Sequence, residues 1–542
     1  MSFDGDNFFS SSTGIYQSKW HSSPLLPLSP SLSLPSYLFS LPIPSISSPS
    51  FIDSVSGFSL SFSDLRSLAF SASLSLHSLG ISKGDVVLLV SPNSIYFPVI
   101  VLAIMSLGAV FSTANFLLTR QELESQIQDS NVSLILTTSD LSHKLDNLIS
   151  KPLILIQDFI SNLKPTLNNI TILANTSIKT TDTAALMYSS GTTGKSKAVI
   201  CSHGNLIAMS CILRDVWGGF GRNETYLCTI PMFHMFGFSV FVCGALAMMT
   251  PVVVMRRYVI EEMLMMMERH RVTKLLAVPP MVIQMVRVAR KGRRLELSGL
   301  KEVVCSGAPL PREYMEMFVE CYPGVTLSQC YGLTETSGPI TLCDGVKGRY
   351  HVSIGRLIPT MEAKIRDIHT NKALPFNKYG ELLVRGPPLM QGYLNNEEAT
   401  SMAIDEEGWL HTGDLCYIDR RGLIYVVDRI KELIKYKAYQ VAPAELEEIL
   451  QTHPEVHDVA VIPYPDDEAG EIPMACVVRK PGSSFKEDEL ISFTEKKVAP
   501  YKKIRKVIFV DVIPRSPSGK ILRRLIKAKV VQQQGTEISA RL

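Results

Sequence analysis

Helical stretches alternate with short apolar strands along most of the chain, and this alternation constrains the fold more than any other feature. Five apolar segments have the length and content of buried strands: Val86–Val90, Leu134–Leu136, Leu153–Ile156, Lys274–Ala277 and Glu302–Cys305. Strands that alternate with helices favour parallel sheets, because a helix returns the chain to the edge where the next strand starts. The sequence therefore predicts an α/β fold with largely parallel sheets.

The pattern changes towards the carboxyl terminus. After about Gly348, shorter strands with Gly and Pro turns predict a small β-rich subdomain. From Asp428 onward, helices and strands mix, which predicts a separate small α+β domain. Its segments are helices at Pro443–Leu450 and Glu487–Lys497 and strands at Ala460–Pro463 and Val507–Val510. Because 542 residues are too many for one hydrophobic core, we predict a loosely ordered segment over 1–50, a large domain over 51–428 and a small domain over 429–542.

Charge and composition exclude several classes of protein. The net charge of +3 is too small for a protein that binds nucleic acid by neutralising phosphates. Ten cysteines stand singly, without a CxxC pair, so neither a disulfide framework nor a zinc site is expected. Pro251 interrupts the apolar run Phe236–Met255, which predicts helix, turn and strand in place of a membrane span. Acidic Asp4 and Asp6 argue against a secretory signal.

A loop of small residues follows the apolar segment Ala184–Met187 and reads Tyr188-Ser-Ser-Gly-Thr-Thr-Gly-Lys-Ser-Lys197. Glycines and hydroxyl groups between two ordered elements let backbone N–H groups converge on phosphate oxygens. The loop is not a Walker A motif, because Ser189 stands where the opening glycine is required. Taken alone, such a stretch fits a plain surface loop equally well.

Further motifs follow this loop in a fixed order. They are Tyr331-Gly-Leu-Thr-Glu335, Gly380-Glu-Leu with Gly392-Tyr393, Trp409-Leu-His-Thr-Gly-Asp414, Asp428-Arg-Ile-Lys-Glu-Leu-Ile-Lys435 and Ser518-Gly-Lys520. Together they resemble the acyl-adenylate-forming superfamily, which includes acyl-CoA synthetases, beetle luciferases and peptide-synthetase adenylation domains. The resemblance covers nearly the whole chain after residue 50. Pro231-Met-Phe-His-Met-Phe236 and Lys435-Tyr-Lys-Ala-Tyr-Gln-Val-Ala-Pro-Ala-Glu445 are most similar to plant 4-coumarate–CoA ligases and their peroxisomal ligase-like relatives.

The resemblance implies an acid–coenzyme A ligase whose large domain binds ATP and the acid. Such an enzyme uses ATP and Mg²⁺ to convert a carboxylic acid to an acyl-adenylate, and transfers the acyl group to coenzyme A. It implies that Lys520 holds the carboxylate and the α-phosphate, that Asp414 binds the ribose hydroxyls and that Glu335 positions Mg²⁺. The implied ATP- and AMP-binding residues are Ser189, Ser190, Gly191, Thr192, Thr193, Gly194, Lys197, Gln329, Tyr331, Gly332, Thr334, Asp414, Arg429, Lys431, Lys435 and Lys520.

The resemblance also implies that the small domain is mobile and serves two half-reactions. Rotation about a hinge near Lys431 would withdraw Lys520 and bring in the loop from Lys435 to Gln440. The implied catalytic residues are Lys520, Lys435, Gln440 and His234, of which His234 gates the acyl site. The implied coenzyme A contacts are Arg257, Lys437 and Ala438. The implied acyl pocket consists of Phe233, His234, Phe236, Gly307, Cys330 and Pro339.

Several departures from the family pattern leave the substrate open. Cys330 and Ala438 replace glycines, Ser306–Leu310 is one residue short, Ser337 is inserted, and Ala198 ends the phosphate loop. The resemblance implies that the acid is a phenylpropanoid, a benzoate, or a fatty or oxylipin acid. Two alternatives remain: a diverged acyl- or nucleotide-binding protein with little turnover, and another adenylate-forming enzyme, such as a luciferase-like oxygenase or a carrier-protein loader. Two alternating lysines argue against a pure binder.

The chain ends in Ala540-Arg541-Leu542, which resembles the Ser-Lys-Leu tripeptide read by the peroxisomal import receptor. We therefore expect this receptor as a partner and the peroxisome as the location, with the cytoplasm as the alternative.

Overall fold

The structure is a computed structural model. It describes residues 8–20, 26–27, 29–43, 48–146, 152–163, 177–189, 196–218, 224–292, 297–343, 352–437, 439–466, 468–516 and 519–530. Two seven-stranded sheets, a six-stranded antiparallel sheet and a smaller C-terminal sheet make up most of its architecture.

The first sheet of the large domain is mostly parallel. In spatial order its strands are Gly392–Tyr393, Lys197–Ser202, Thr183–Ser189, Val110–Thr113, Val86–Val90, Val132–Thr137 and Leu153–Leu155. Only the pairs that involve Lys197–Ser202 are antiparallel. This strand returns alongside Thr183–Ser189, so that Lys197 faces Ser189 across the base of the predicted phosphate loop.

The second sheet is parallel except at one edge. Its strands are Thr326–Gln329, Glu302–Cys305, Lys274–Ala277, Tyr226–Cys228, Val252–Val254, Pro49–Asp53 and Ser59–Ser61, of which the last pair is antiparallel. The predicted strands Val86–Val90, Lys274–Ala277 and Glu302–Cys305 are confirmed with the same bounds.

Helices cover these sheets. They are Phe62–Ser78, Phe97–Ser106, Arg120–Asp129, Ile156–Ser161, His203–Trp217, Ile260–Arg269, Pro279–Arg290 and Arg312–Cys321, with a 3-10 turn at Ser142–Lys144. The apolar run after residue 236 forms helical turns at Met235–Gly237, Phe238–Gly244 and Ala245–Met248, followed by a turn and the strand Val252–Val254, as predicted. Among the described residues, no helix has both the length and the apolar content needed to cross a membrane.

The β-rich subdomain contains two antiparallel sheets. The six-stranded sheet runs Phe9–Ser10, Ile15–Gln17, Glu362–Arg366, Gly380–Arg385, Leu410–Ile418 and Ile424–Arg429. Tyr331–Leu333, Gly338–Leu342 and Arg356–Leu357 form a three-stranded sheet, and Glu397–Ala403 is a short helix. These strands agree with the short strands predicted after about Gly348.

Part of the segment over 1–50, which we predict to be loosely ordered, has regular secondary structure where the structure describes it. The hairpin strand Ile15–Gln17 pairs with Glu362–Arg366 of the six-stranded sheet, and Tyr16 is 1% exposed. Helix Leu34–Ser40 is capped by the Ser33 side chain and buries Leu34 fully. Serine acts here as a helix cap, a role that average composition does not reveal.

The small domain has its own sheet and core. In spatial order its strands are Tyr439–Val441, Ile434–Tyr436, Gly470–Arg479 and Val456–Asp466. A further strand, Lys506–Phe509, pairs in parallel with Gly470–Arg479. Its helices are Pro443–Gln451, Glu487–Glu495, the 3-10 turn Pro500–Lys502 and a last helix over 523–530. The preceding strand Ile424–Arg429 runs one residue past the predicted domain boundary. The α/β class with a small α+β domain is confirmed.

Candidate active site

Asp414 lies at the centre of a buried polar cluster between the large and small domains. Its side chain is 3% exposed, accepts a hydrogen bond from the Tyr331 hydroxyl at 2.5 Å and lies 3.2 Å from Nε of Arg429. Burial raises the pKa of this carboxyl, while Arg429, Tyr331 and Lys520 oppose the shift. A carboxylate held by two donors is already oriented to accept hydrogen bonds from ligand hydroxyls.

Tyr331 and Gly332 form one side of this cluster. Burial, together with the nearby Asp414 carboxylate, raises the pKa of Tyr331 well above its ordinary value. The phenol therefore stays protonated and donates a hydrogen bond to Asp414. Gly332 meets the backbone of the neighbouring strand closely, because an added Cβ would lie 2.3 Å from the Gly338 oxygen. A glycine is therefore required for the close contact between these two strands.

Lys197, Arg429, Lys431 and Lys520 surround the same space. Burial and the charge of Arg429 lower the pKa of Lys520 to about 8. Burial, Arg429 and Lys197 also lower the pKa of Lys431. Lysines whose pKa is lowered by neighbouring cations are typical of a site that receives an anion. The cluster has the charge required for a polyphosphate beside a carboxylate.

The Lys520 loop is a tight turn that touches the large domain. The Ser516 N–H donates to the Lys520 oxygen at 2.8 Å, and the Gly519 N–H donates to the Ser516 oxygen at the same distance. Gly519 has φ +82°, and an added Cβ would lie 2.8 Å from Cδ of Pro280. Pro280 stands at the start of helix Pro279–Arg290. This contact holds Lys520 within electrostatic reach of Asp414.

Lys435 has different surroundings from Lys520. It is exposed in strand Ile434–Tyr436, pairs in register with Gln440, and its N–H donates to Glu471 Oε2 at 2.7 Å. The structure thus brings Lys520, and not Lys435, to the Asp414 cluster. Arg257 and Lys437 are also exposed, and Lys437 pairs with Glu468 at 3.3 Å. Ala438 lies outside the described residues.

The phosphate loop is described at its two ends. Ser189 closes one strand and Lys197 opens the next, and the two residues are register partners. The predicted contacts Ser190, Gly191, Thr192, Thr193 and Gly194 lie outside the described residues.

Glu335 and Tyr393 form a pair beside this loop. The Tyr393 hydroxyl donates to Glu335 Oε1 at 2.9 Å, and Nζ of Lys197 lies 4.8 Å from the Tyr393 ring centroid. Mg²⁺ in nucleotide sites usually binds one or two carboxylates together with substrate phosphates, so the Glu335 carboxylate fits a magnesium ion that arrives with ATP. Tyr393 was not among the predicted site residues, although its Gly392-Tyr393 motif was a signal.

Gln329 and Thr334 lie next to the site residues and stabilise the backbone around them. Gln329 Oε1 accepts the Leu310 N–H at 3.4 Å, and its Nε2 donates to the Val352 oxygen at 3.2 Å. Gln329 therefore ties two loops together. Thr334 opens the 3-10 turn that carries Glu335.

The predicted acyl-pocket residues are mostly apolar. Phe233 packs edge-on against Phe116 with ring centroids 5.6 Å apart. His234 begins a helical turn, and its Nδ1 accepts the Phe236 N–H at 3.3 Å. The His234 side chain is exposed to solvent. Pro339 is buried, whereas Gly307 is exposed with φ +87°.

Cys330, predicted to border the acyl pocket, is buried in this structure. It is 4% exposed, and burial raises the pKa of its thiol to about 12. Its backbone oxygen accepts the Ser306 hydroxyl at 2.8 Å. The thiol is therefore a neutral space-filling group here.

Family models match both domains. The model described as "AMP-binding enzyme" matches residues 47–394, and the model described as "AMP-binding enzyme C-terminal domain" matches residues 445–520. The chain belongs to the AMP-binding enzyme family.

Relatives of this AMP-binding enzyme are named as coenzyme A ligases. "Putative 4-coumarate--CoA ligase-like 8" of Oryza sativa subsp. japonica is 46% identical over 96% of both chains. "Probable CoA ligase CCL5" of Humulus lupulus is 49% identical over 88% of this chain and 89% of the relative. "Peroxisomal OPC-8:0-CoA ligase 1" of Arabidopsis thaliana is 47% identical over 88% and 90%.

Solved structures agree with this membership. ATP-bound MatB from Rhodopseudomonas palustris superposes with a TM-score of 0.83 at 24% identity and covers 92% of this chain and 98% of that one, which shows the shared fold. o-Succinylbenzoate CoA synthetase from Bacillus subtilis, in complex with its acyl-adenylate intermediate, gives a TM-score of 0.79 at 26% identity over 91% and 98%.

These findings confirm the predicted class. The AMP-binding enzyme is an ATP-dependent acid–coenzyme A ligase of the 4-coumarate–CoA ligase-like type, which uses ATP, Mg²⁺ and coenzyme A. The relatives reported above carry ligase names, which weighs against an oxygenase or a carrier-protein loader.

Proposed function

We propose that this ligase activates a fatty or oxylipin acid and that adenylation occurs in the domain arrangement described above. The observation that carries the proposal is Lys520 beside Asp414 and Arg429, where a carboxylate and an α-phosphate would need cations. Phe233, Phe236 and Pro339, which the family resemblance assigns to the acyl pocket, are apolar and would suit an acid with an apolar body. The relative named for an OPC-8:0 substrate supports this class.

In the proposed adenylation step, protein groups hold two anions together. The Lys520 ammonium contacts the attacking carboxylate and the α-phosphate, and so reduces their repulsion as the new bond forms. Asp414 accepts hydrogen bonds from the ribose hydroxyls and thereby sets the position of the α-phosphate. Tyr331 and Gly332 border the adenine. Glu335 would hold Mg²⁺ together with the phosphates of ATP, and the ion would supply positive charge against the charge of the phosphates.

Thioester formation requires a second arrangement of the small domain. Lys431 stands between strand Ile424–Arg429 and the small domain, where we propose the hinge. The Ala444 N–H donates a hydrogen bond to Oδ2 of Asp428 at 2.8 Å. Rotation at the hinge would break this bond. Lys435 and Gln440 would then approach the adenylate, with Arg257, Lys437 and Ala438 along the coenzyme A path and His234 as the gate.

Phenylpropanoids remain a second candidate, because several relatives are named as 4-coumarate--CoA ligase-like. The two candidates are separated by pyrophosphate release on a panel of medium-chain fatty acids, oxylipin acids, cinnamates and benzoates, with and without coenzyme A. We expect a fatty or oxylipin acid to give the highest kcat/KM and an acyl-CoA product. A cinnamate with the highest kcat/KM would replace our assignment.

Cys330→Gly tests the shape of the pocket on the same panel. Removing the side chain should open space for a ring and raise kcat/KM for 4-coumarate about tenfold relative to a fatty acid, since one methylene-sized group in a pocket is worth about 10- to 200-fold. Cys476→Ser, at a buried thiol of the small domain, serves as the control. An unchanged ratio in Cys330→Gly would remove Cys330 from the pocket.

We further propose that the enzyme enters peroxisomes through the import receptor and the tail Ala540-Arg541-Leu542. A relative named as peroxisomal supports this location. A fluorescent protein fused to the amino terminus leaves the tail free. We expect this fusion to coincide with a peroxisomal marker and to become diffuse when the last three residues are deleted. A diffuse intact fusion would favour the cytoplasm.

A further inference from the structure

A buried ionic cluster lies behind Asp414. Glu381, in strand Gly380–Arg385, is 7% exposed. Its Oε2 accepts Nη2 of Arg366 at 2.6 Å and lies 3.3 Å from Nδ1 of His411. Its other oxygen, Oε1, accepts the backbone N–H of Gly413 at 3.2 Å. One carboxylate thus joins two side chains to the backbone immediately before Asp414.

The backbone at Gly413 depends on this contact because the strand pairing is irregular there. The register between Gly380–Arg385 and Leu410–Ile418 shifts after Glu381, so Glu381 pairs with Leu415 and Leu383 pairs with His411. Gly413 has φ +69°. Bulges of this kind redirect a side chain and leave backbone groups outside the ladder. The Glu381 carboxylate takes up the Gly413 N–H that this bulge presents.

Thr412 fixes the same turn from the other side. Its hydroxyl donates to the Leu382 oxygen at 2.7 Å and accepts the Asp414 N–H at 3.1 Å. Consecutive groups at positions 412, 413 and 414 are therefore tied to the strand that carries Glu381. Movement of that carboxylate would be passed directly to Asp414.

The charge balance shows that Glu381 is held as a carboxylate. Burial alone would raise its pKa, but His411 and Arg366 outweigh burial and lower it. His411 is in turn 3.5 Å from Asp405 through Nε2. A charged acceptor binds a backbone N–H more strongly than a neutral one.

We infer that Glu381 is a positioning residue for the ribose contact of ATP: it holds the Gly413 amide so that the Asp414 carboxylate keeps its aim. The inference rests on the proposed role of Asp414 at the ribose hydroxyls. Neither Glu381 nor His411 was predicted as a site residue from the sequence, although the motifs Gly380-Glu-Leu and Trp409-Leu-His-Thr-Gly-Asp414 contain them.

The test compares ATP with 3′-deoxy-ATP and 2′-deoxy-ATP in wild type and Glu381→Gln. Glutamine keeps the size but removes the charge, so the turn loses its charge-assisted bonds. We expect kcat/KM for pyrophosphate release with ATP to fall about tenfold, and kcat/KM with the deoxy analogues to fall much less. The preference for ATP over the analogue should therefore shrink in the variant.

Glu362→Gln is the matched control. Glu362 pairs with Arg385 at 2.7 Å in the same sheet, at a more exposed position, and its carboxylate accepts hydrogen bonds from Arg385 in place of Gly413. It should leave the ATP preference unchanged. Thermal unfolding of each variant monitors folding. If Glu381→Gln does not fold, His411→Gln removes one support of the same carboxylate and should reduce the preference in the same direction.

The outcomes separate the inference from the role on which it rests. A uniform loss with ATP and its analogues in Glu381→Gln would make Glu381 a structural residue only and overturn the inference. Asp414→Asn is measured alongside. If wild type has no preference for ATP, or Asp414→Asn keeps it, the assignment of Asp414 fails and the inference falls with it. If the preference for ATP over the deoxy analogues is lost in Asp414→Asn and reduced in Glu381→Gln, the results support both the ribose role of Asp414 and the positioning role of Glu381.

Discussion

Lys520→Ala is expected to reduce pyrophosphate release by about 10²- to 10³-fold, the cost of removing one donor that stabilises transition-state charge. Lys520 is half-buried and lies within electrostatic reach of Asp414 and Arg429. Its amine would meet the carboxylate and the α-phosphate together, where their charges repel most. The measurement is the rate of pyrophosphate release with a saturating acid in the absence of coenzyme A.

Lys435→Ala is the matched control, because it removes the same side chain from an exposed strand of the same domain. We expect it to keep pyrophosphate release and to slow acyl-CoA formation from supplied acyl-adenylate. Lys520→Ala should show the reverse pattern. Equal losses of adenylation in both variants would contradict the assignment of the two lysines to separate half-reactions.

The pH dependence provides a second readout for Lys520. Its pKa is lowered to about 8 from the ordinary lysine value, first by burial and then by Arg429. The charged form is therefore present below pH 8 and is lost as the pH rises through it. We expect kcat/KM for adenylation, which reports the free enzyme, to fall above about pH 8. Lys520→Arg should keep its charge and lack this fall.

Much of the fold could be predicted because buried parallel strands are nearly continuous apolar runs. Val86–Val90, Lys274–Ala277 and Glu302–Cys305 were each predicted with the observed bounds. The amino-terminal segment was not, because its Ser and Pro content hid a short apolar stripe at Leu34, Tyr37 and Leu38. The stripe can be recognised as part of the core only when the tertiary structure shows which elements pack against it.

The candidate site shows a different limit. Motifs identified Asp414, Arg429 and Lys520, and the structure brings these three together. The sequence carries both Lys435 and Lys520, and which of them faces the site depends on the orientation of the domain. The contact of Glu381 with Gly413 depends on a register shift, which arises from pairing between strands and has no local signature.

Gly519→Ala is expected to slow adenylation by about 10- to 100-fold while acyl-CoA formation from supplied acyl-adenylate stays near the wild-type rate. An added Cβ would lie 2.8 Å from Cδ and 3.0 Å from Cγ of Pro280, and the rigid ring cannot rotate away. The φ of +82° adds backbone strain. The clash opposes the docking of Lys520 by about 1–3 kcal/mol, whereas the strain lowers the stability of the small domain as a whole.

Gly482→Ala isolates the clash from the strain. Gly482 lies in the same small domain with φ +84°, and an added Cβ there would meet nothing within 4 Å. Gly482→Ala should lower the thermal stability about as much as Gly519→Ala does, because both add a side chain at a positive φ. It should leave the rates of both half-reactions unchanged. The clash at Gly519 exists only while the Lys520 loop touches Pro280, so rotation of the small domain should relieve it. If Gly519→Ala slows both half-reactions alike, the contact with Pro280 is not specific to adenylation, and the proposed rotation away from it is wrong.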